Sequence, residues 1–474
     1  MGPGERVMRW GGRFSYAGGL GAAFVERRRA LRGGEPLGAY QLARAGRIAA
    51  EARERSPFYR ELYRGVRLPL RTLEDLPLTN KALVMANFDR LFADPWVRRD
   101  ALDEYFAQPF RYDRRFLGKY LAFHTSGSSG RPGYIVWGER EFGRSVGLIL
   151  AGQMDRSRRE RGAATVRLGE RSVYVGVTDD YVGGNSWAHA LGRFSQLRIL
   201  SLFDPVEKLV AVLNDYQPGL LASKPHVVGA LAREQLAGRL RLTKLKRVTV
   251  AGENLTPGLA ELIEGAFGVA PSNSYSACET GPIARQTGRA RELDVFSTAV
   301  VVEILDDAGR PVREYGRPGR VVVTNLYNRT MPVLRYELGD VACFVPGPVP
   351  FGRLGFIEGR ATSTLEFRDG GAVHGVAEYP LWSVHVKGLA QYQIAQTGGM
   401  ALEIRLEWQP GHEDRAGARR EFARRLDEIM GHQPWWPRVG VTYREVDQIA
   451  PNPWGKTPIV VREAGGGDRA AAAV

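Results

Sequence analysis

The sequence predicts an α/β protein: a large multi-layer αβ N-terminal body with a β-barrel-like subdomain, then a small mobile α+β C-terminal domain. Three observations carry this reading. From about residue 120 to 330, short β-branched runs alternate with helically spaced apolar residues, as parallel α/β layers require. Residues 298–345 break into strands separated by Gly, Pro and Asp turns, the pattern of an antiparallel meander or barrel. Residues 346–352 (PGPVPFG) form a Pro/Gly connector, beyond which a shorter strand–helix–strand pattern begins.

Taken in order, residues 1–35 are a Gly- and Arg-rich N-terminal extension. Residues 39–65 carry apolar residues at helical spacing, interrupted at Ser56-Pro57. Strands are expected at 172–177 and 247–251, and helices at 205–215 and 255–267. The meander comprises 298–305, 320–325 and 340–345. The small domain has a strand at 400–408, a helix at 415–430, a strand at 439–446 and a loop at 451–456. Residues 465–474 (GGGDRAAAAV) are low-complexity and expected to be disordered. The expected division is therefore 1–35, 36–358, 359–464 and 465–474.

The length of 474 residues exceeds one typical domain. Hydrophobic residues at 44% and charged residues at 25% exclude a mainly disordered chain. The net charge is +14, and all but eight of the 66 Lys and Arg residues are Arg. No basic run exceeds three residues, so the surplus reads as dispersed surface charge, and no nucleic-acid partner is expected. Two cysteines, Cys278 and Cys343, exclude a disulfide scaffold and a Cys-rich zinc module. The histidines show no H-E-x-x-H spacing. No apolar run approaches the roughly 18 residues of a membrane span. Residues 11–25 are only mildly apolar and 26–32 are charged, so neither a signal peptide nor a membrane partner is expected, and the expected location is cytoplasmic.

The sharpest local signal is His124-Thr125-Ser126-Gly127-Ser128-Ser129-Gly130-Arg131-Pro132-Gly133, after the apolar stretch 120–123. Glycines let backbone N–H groups converge, and Thr and Ser hydroxyls add donors, so a strand entering such a loop can wrap phosphates. A flexible Ser/Gly linker has the same composition, but the position directly after an apolar strand favours a phosphate loop. The Walker A spacing is absent. Further segments follow: Thr249-Val250-Ala251-Gly252-Glu253, Asn273-Ser274-Tyr275-Ser276-Ala277-Cys278-Glu279-Thr280-Gly281, and Leu334-Arg335-Tyr336-Glu337-Leu338-Gly339-Asp340. Gly359-Arg360 and Pro451-Asn452-Pro453-Trp454-Gly455-Lys456 close the series. Singly, Glu279 reads as a surface acid, Asp340 as a turn residue and Lys456 as a solvated lysine. The ordered set is far more specific than any member.

At these residues the chain resembles the adenylate-forming superfamily, and within it the phenylacetate–CoA ligase-like branch that includes CapK-type proteins. Thr125 to Pro132 resembles the T-S-G-[ST]-[ST]-G-x-P phosphate loop, Ser274 to Glu279 the Y-G-x-x-E segment, and Arg335 to Asp340 the R-Y-x-x-x-D segment. Gly359-Arg360 resembles the hinge motif and Gly455-Lys456 the terminal G-K; Ser56-Pro57-Phe58-Tyr59 and Leu76-Pro77-Leu78-Thr79-Asn80-Lys81 match the branch's N-terminal pattern. The resemblance covers about residues 39–462.

The resemblance implies an ATP- and Mg²⁺-dependent ligase of the acid–thiol type. A carboxylic acid, with an aromatic one favoured, attacks the α-phosphate of ATP and displaces pyrophosphate; the acyl-adenylate then passes its acyl group to an acceptor, coenzyme A by default. Thr125, Ser126, Gly127, Ser128, Ser129 and Gly130 would cradle phosphates, and Glu279 would hold Mg²⁺, a hard cation suited to carboxylate plus phosphate oxygens. Gly252, Glu253, Ser274 and Tyr275 would line adenine, and Asp340 would bind the ribose hydroxyls. Lys456 would bridge carboxylate and α-phosphate as a mobile point cation, and Arg360 would contact ribose or phosphate at the hinge. By position, Gly184, Trp187 and His189, with Tyr275, would form the acid-binding wall.

The chain departs from the family pattern in places. Arg360 is followed by Ala361-Thr362-Ser363 rather than x-D-D, Asp369 stands where the pantetheine tunnel has a glycine, and His374 replaces a proline. These departures favour, as alternatives, an amine or carrier-protein acceptor. Adenylylation as the end product and a non-catalytic basic binding protein remain as further readings, and a homodimer is left open.

Overall fold

The structure, a computed structural model, describes residues 37–463 apart from 126–132, 160–168, 179, 254, 287–291, 356, 358, 361–363, 370–371, 378–383, 385, 432, 434 and 451–456; at 151–159, 359–360, 364, 366, 369 and 372–377 it describes the backbone alone. The N-terminal extension and the C-terminal tail lie outside the described residues.

The expected α/β layering is present. Strands Arg171–Gly176, Gln196–Ser201, Leu220–Ser223, Arg247–Ala251 and Pro271–Ala277 are mutually parallel. Helices Gly183–Gly192, Val206–Tyr216, Pro225–Leu236 and Pro257–Phe267 connect them in turn. Numbered along the chain, these five strands lie in the order 2-1-3-4-5. That order places a topological switch point between Arg171–Gly176 and Leu220–Ser223, where ligands of open α/β sheets sit outside the strands' carboxyl ends. Three antiparallel strands, Gly281–Gln286, Leu293–Val295 and Arg353–Leu354, complete the eight-stranded sheet. The core on one side of it joins Val173, Val175, Leu221, Val248 and Val250 to the helix residues Leu213, Leu231 and Leu259.

The meander is an open sheet rather than a closed barrel among the described residues. Val300–Leu305, Pro318–Asn325 and Tyr336–Cys343 pair antiparallel in sequence order. Thr79–Asn80 adds in parallel to Tyr336 and Glu337, and Gly359–Arg360 adds antiparallel to Asp340 and Val341. The last meander strand begins at Tyr336, earlier than the sequence suggested, so the R-Y-x-x-x-D segment is itself strand. Two extra residues on that strand, between the pairs Val322↔Glu337 and Arg320↔Val341, make a bulge in which Gly339 takes φ +80°. A bulge re-aims the side chain that follows it, and here that residue is Asp340.

The Ser56-Pro57 break also stands: Leu37–Arg55 ends there, and Ser56 caps a second helix, Pro57–Leu62, by accepting from Tyr59 N at 3.2 Å. Pro57 occupies the first helical position, where its missing N–H has no intrahelical partner to lose. The first helix buries Ala45, Ile48, Ala49 and Ala52, one face at 3–4-residue spacing.

Beyond residue 364 lie a hairpin, Thr364–Asp369 with Ala372–Ala377, and a four-stranded sheet ordered Gly440–Val446, Ala401–Trp408, Leu389–Gly398, Val460–Arg462. Helix Arg415–Met430 covers this sheet through Ala418, Phe422, Leu426 and Met430, a separate hydrophobic core. This unit rests on the large body. Thr256 Oγ1 donates to Ala390 O at 3.0 Å, Gln409 Nε2 donates to Gly258 O at 3.1 Å, and Arg233 pairs with the buried Glu407. Any Cβ at Gly258 would collide with the Leu389 carbonyl, so close backbone approach requires glycine there. No helix among the described residues is long and apolar enough to cross a membrane.

Arg335 ties the N-terminal segment to the meander. It is buried, its Nη1 donates to Leu76 O at 2.9 Å, and its Nη2 meets Glu303 Oε1 at 3.0 Å. Burial raises the Glu303 pKa, and the guanidinium opposes that rise. Removing one partner strands a buried charge, so Arg335→Ala is expected to cost about 3–5 kcal/mol. Urea unfolding checks this; a loss below about 1 kcal/mol would show that the pair is not a structural tie.

Candidate active site

Three of the residues singled out by sequence, Gly252, Ser274 and Tyr275, lie at the carboxyl ends of neighbouring parallel strands. Gly252 follows strand Arg247–Ala251 at φ +83°, a left-handed turn; nothing lies within 4 Å of where a Cβ would stand, so the backbone there presents open space. Ser274 and Tyr275 lie on the adjacent strand, Ser274 in register with Ala251. The Tyr275 hydroxyl donates to Asp340 Oδ2 at 2.7 Å, bridging the central sheet to the meander. Asp340 in turn pairs across the backbone ladder with Arg360. The backbone of Arg360 is therefore held beside Asp340.

Glu279 sits in the turn between strands Pro271–Ala277 and Gly281–Gln286. Trp137 Nε1 donates to Cys278 O at 3.2 Å, and Asn325 Nδ2 donates to Thr280 O at 2.8 Å, holding the turn from two sides. The Tyr336 hydroxyl approaches Glu279 Oε1 at 3.5 Å.

The Ser/Gly loop joins the two strands of a hairpin, Tyr120–His124 and Tyr134–Gly138. Its base is closed by Thr125 N to Gly133 O at 2.9 Å and Gly133 N to Thr125 Oγ1 at 2.8 Å. Ser126, Gly127, Ser128, Ser129 and Gly130 lie outside the described residues. The base also holds a histidine–carboxylate pair that sequence reasoning did not assign. His124 Nε2 lies 2.8 Å from Asp180 Oδ1 and Nδ1 lies 3.1 Å from Thr125 O. Both ring nitrogens face acceptors, an arrangement that favours the doubly protonated ring. Burial works against that charge, but the Asp180 hydrogen bond and the Thr125 carbonyl outweigh it and raise the His124 pKa. The same hydrogen bond from His124 holds Asp180 below the ordinary carboxylate value, against its burial.

The position of Glu253 differs from the expected adenine wall. Its carboxylate is 6% exposed and turned away to other partners: His226 Nδ1 at 2.7 Å, Lys224 Nζ at 3.8 Å, and the Thr457 hydroxyl at 3.3 Å. Thr457 belongs to the small unit and also accepts from Gln391 Nε2 at 3.1 Å. Glu253 is thus an inter-unit tie. Lys456 precedes Thr457 and lies outside the described residues.

The expected acid wall divides. Two residues apart on a helix of roughly 100° per residue, Trp187 and His189 point to different sides. Trp187 packs among Phe123, Trp137 and Phe142 and donates from Nε1 to Ser145 Oγ at 2.8 Å. His189 stacks on Tyr112 at 4.5 Å, and burial pulls its pKa down to about 4, leaving it neutral. They do not form one wall; Gly184, by contrast, is exposed at the start of their helix. Sequence reasoning also missed Tyr174, whose ring lies over Gly176 and Gly184. Alternation in the strand could have placed it on the Gly176 side, but nothing in the sequence shows which face meets a ligand.

No family model matches the chain. It is similar to a phenylacetate-coenzyme A ligase of Thermus thermophilus, 25% identical over 361 residues, which span 73% of this chain and 74% of that protein. It is similar also to protein CapK of Staphylococcus aureus, 23% identical over 278 residues, or 56% of this chain and 55% of CapK. In fold it matches a 2-hydroxyisobutyryl-CoA ligase in its postadenylation state in complex with 2-HIB-AMP, at TM-score 0.66 and 20% identity over 89% of each chain. Against the same ligase in its thioesterification state with 2-HIB-AMP and CoA, the TM-score is 0.53 at 21% identity over 90% of each chain. Fold and sequence together support the adenylate-forming superfamily for this chain. Within it, the likeness falls on the phenylacetate–CoA ligase-like branch.

The His124–Asp180 pair has a defined pH window. A raised imidazole pKa gives stabilisation that is complete below the ordinary value and is lost as pH rises through the folded value; a lowered carboxylate pKa gives stabilisation lost as pH falls through its own folded value. In Asp180→Asn, burial dominates, and the His124 midpoint should drop below the ordinary imidazole value of about 6.5. Imidazole NMR titration of the two proteins reads this directly, and an unmoved midpoint would refute the charged pair.

Proposed function

We propose that the protein is an ATP- and Mg²⁺-dependent ligase that converts a carboxylic acid to its acyl-adenylate, releases pyrophosphate, and transfers the acyl group to coenzyme A. The observation that carries this reading is the Tyr275–Asp340 hydrogen bond with Arg360 paired opposite, at the carboxyl edge of a doubly wound sheet. Support comes from two relatives that are phenylacetate-coenzyme A ligases, and from structural neighbours in complex with acyl-AMP and CoA.

In this reading, residues 36–358 form the adenylation domain and 359–464 the small domain. Asp340 accepts from the ribose hydroxyls, while Gly252, Ser274 and Tyr275 face adenine. Thr125 and the glycine-rich residues after it hold the β- and γ-phosphates. The residues fit Mg²⁺: Glu279 offers one carboxylate, which suits a cation bound mainly through substrate phosphates and water. When bound, that ion neutralises developing phosphate charge. Lys456 brings a cation to the oxygen that passes from acid to α-phosphate, and Arg360 orients the nucleotide. Little covalent work falls to the protein; positioning and charge stabilisation dominate. The small domain must close for Lys456 to act, and the Glu253–Thr457 contact fits that docked arrangement. The reading places the protein in the cytoplasm.

Pyrophosphate release from a panel of aromatic and aliphatic acids, with and without CoA, tests the whole. Release with a thioester product only when CoA is present is expected; release unaffected by CoA would point to an amine or carrier-protein acceptor. No release with any acid would remove the ligase reading. Lys456→Ala should slow adenylate formation by about 10²–10³-fold, as for loss of one transition-state charge partner, with ATP binding retained. Wild-type pyrophosphate exchange in that variant would remove Lys456 from the chemistry. Glu279→Gln should raise the Mg²⁺ concentration needed for half-maximal activity by about tenfold, since one anionic ligand is lost; an unchanged metal titration would leave Glu279 a purely structural role.

A further inference from the structure

Tyr174 lies on strand Arg171–Gly176, next to the edge of the sheet and at the switch point, yet its ring does not pack as an ordinary core residue. It runs along the strand toward the carboxyl end, filling the space that a side chain at Gly176 would take. Its hydroxyl ends 2.7 Å from where a Cβ on Gly184 would stand. Any residue but glycine at either position would expel it. Around the same corner, a Cβ on Gly183 would meet Cys278 Sγ at 2.8 Å, Trp187 Cζ3 at 3.0 Å and Phe123 Cδ2 at 3.3 Å. Two aromatic edges and a thiol thus border the glycines, beside the turn that carries Glu279.

The Tyr174 hydroxyl has no hydrogen-bond partner among the described residues. Tyr174 is half-buried and Gly184 beside it is exposed, so the hydroxyl is open to a ligand that offers a hydrogen-bond partner. Burial, helped by Cys278, pushes the phenol pKa up to about 12, so it is a neutral O–H donor and acceptor at physiological pH.

We propose that the Tyr174 hydroxyl is the specificity-determining group of the acid pocket, hydrogen-bonding a polar ring substituent so that the protein selects hydroxylated or aminated aromatic acids over their unsubstituted parents. The inference rests on the carboxylic-acid reading above and names the substrate class within it. The edge of the half-buried Trp187, beside Gly183, suits a planar ring, and the phenol supplies the single directional contact. A site built around a hydrogen bond rejects the analogue lacking it more strongly than an apolar pocket rejects a missing methylene, because its own polar group is then left unpaired.

The test measures binding separately from turnover. Calorimetry on the full chain compares phenylacetate with its hydroxy isomers and 4-aminophenylacetate, for wild type, Tyr174→Phe and Gly184→Ala. In the wild type, the best substituted acid should bind about tenfold or more tighter than phenylacetate. Tyr174→Phe keeps the ring and loses only the hydroxyl; the gap should shrink below about twofold. Gly184→Ala displaces the hydroxyl and should also erase the preference, which guards against a folding artefact in either variant alone. Equal affinities in the wild type, or a preference that survives Tyr174→Phe, would overturn the proposal. Preference without pyrophosphate release would overturn the ligase reading and leave this assignment standing; release without preference would do the reverse. No binding of any acid would overturn both.

Discussion

The backbone pairing of Gly359–Arg360 with Asp340 and Val341 is the constraint on which the rest of the site depends. It fixes where the large body ends and the small unit begins, at the residue whose carboxylate receives the Tyr275 hydroxyl. Gly339 makes this possible. Its left-handed backbone creates the bulge that turns Asp340 toward Tyr275 while its neighbours stay in the ladder. The two sheets also share a hydrophobic core, in which Ile283, Ala284 and Leu293 meet Val302, Val321 and Val323, so the bulge sets the direction of Asp340 rather than the contact itself.

Buried charges hold the larger pieces in place. Arg335 with Glu303 fixes the N-terminal segment, and Arg233 with Glu407 fixes the small unit, where Glu407 Oε2 also accepts from Ile449 N at 2.7 Å. Burial raises both carboxylates' pKa values, with the guanidinium partner opposing in each case. Such pairs add little net stability over apolar contacts, yet breaking one is expensive. They define which surfaces meet rather than how firmly the chain folds.

Much of the architecture was legible in the sequence because periodicity survives tertiary context. The Arg247–Ala251 strand and the Arg415–Met430 helix fell where apolar spacing put them. The meander was legible as strands but not as an open sheet, since closure depends on edge pairing that no local pattern encodes. In the candidate site, Tyr275 reaches Asp340, and the backbone of Arg360 pairs opposite Asp340. Glu253 did not behave as expected, because its carboxylate is claimed by His226 and Thr457, 27 and 204 residues distant. Trp187 and His189 were grouped by nearness in sequence, which a helix converts into opposite directions. Asp180 carried no signal at all; its role exists only because the His124 strand docks beside it.

The Glu253 carboxylate touches both the large body and the small unit, so a ligand at this turn and the contact between the two would be thermodynamically linked. Any molecule that binds at the Gly252–Glu253 turn and alters the carboxylate's hydrogen bonds also alters the free energy of the Thr457 contact. By linkage, the factor by which such a molecule tightens or loosens the small unit equals the factor by which the docked unit changes its affinity. The chain between these groups need not transmit a motion. A shared acceptor is enough to couple them.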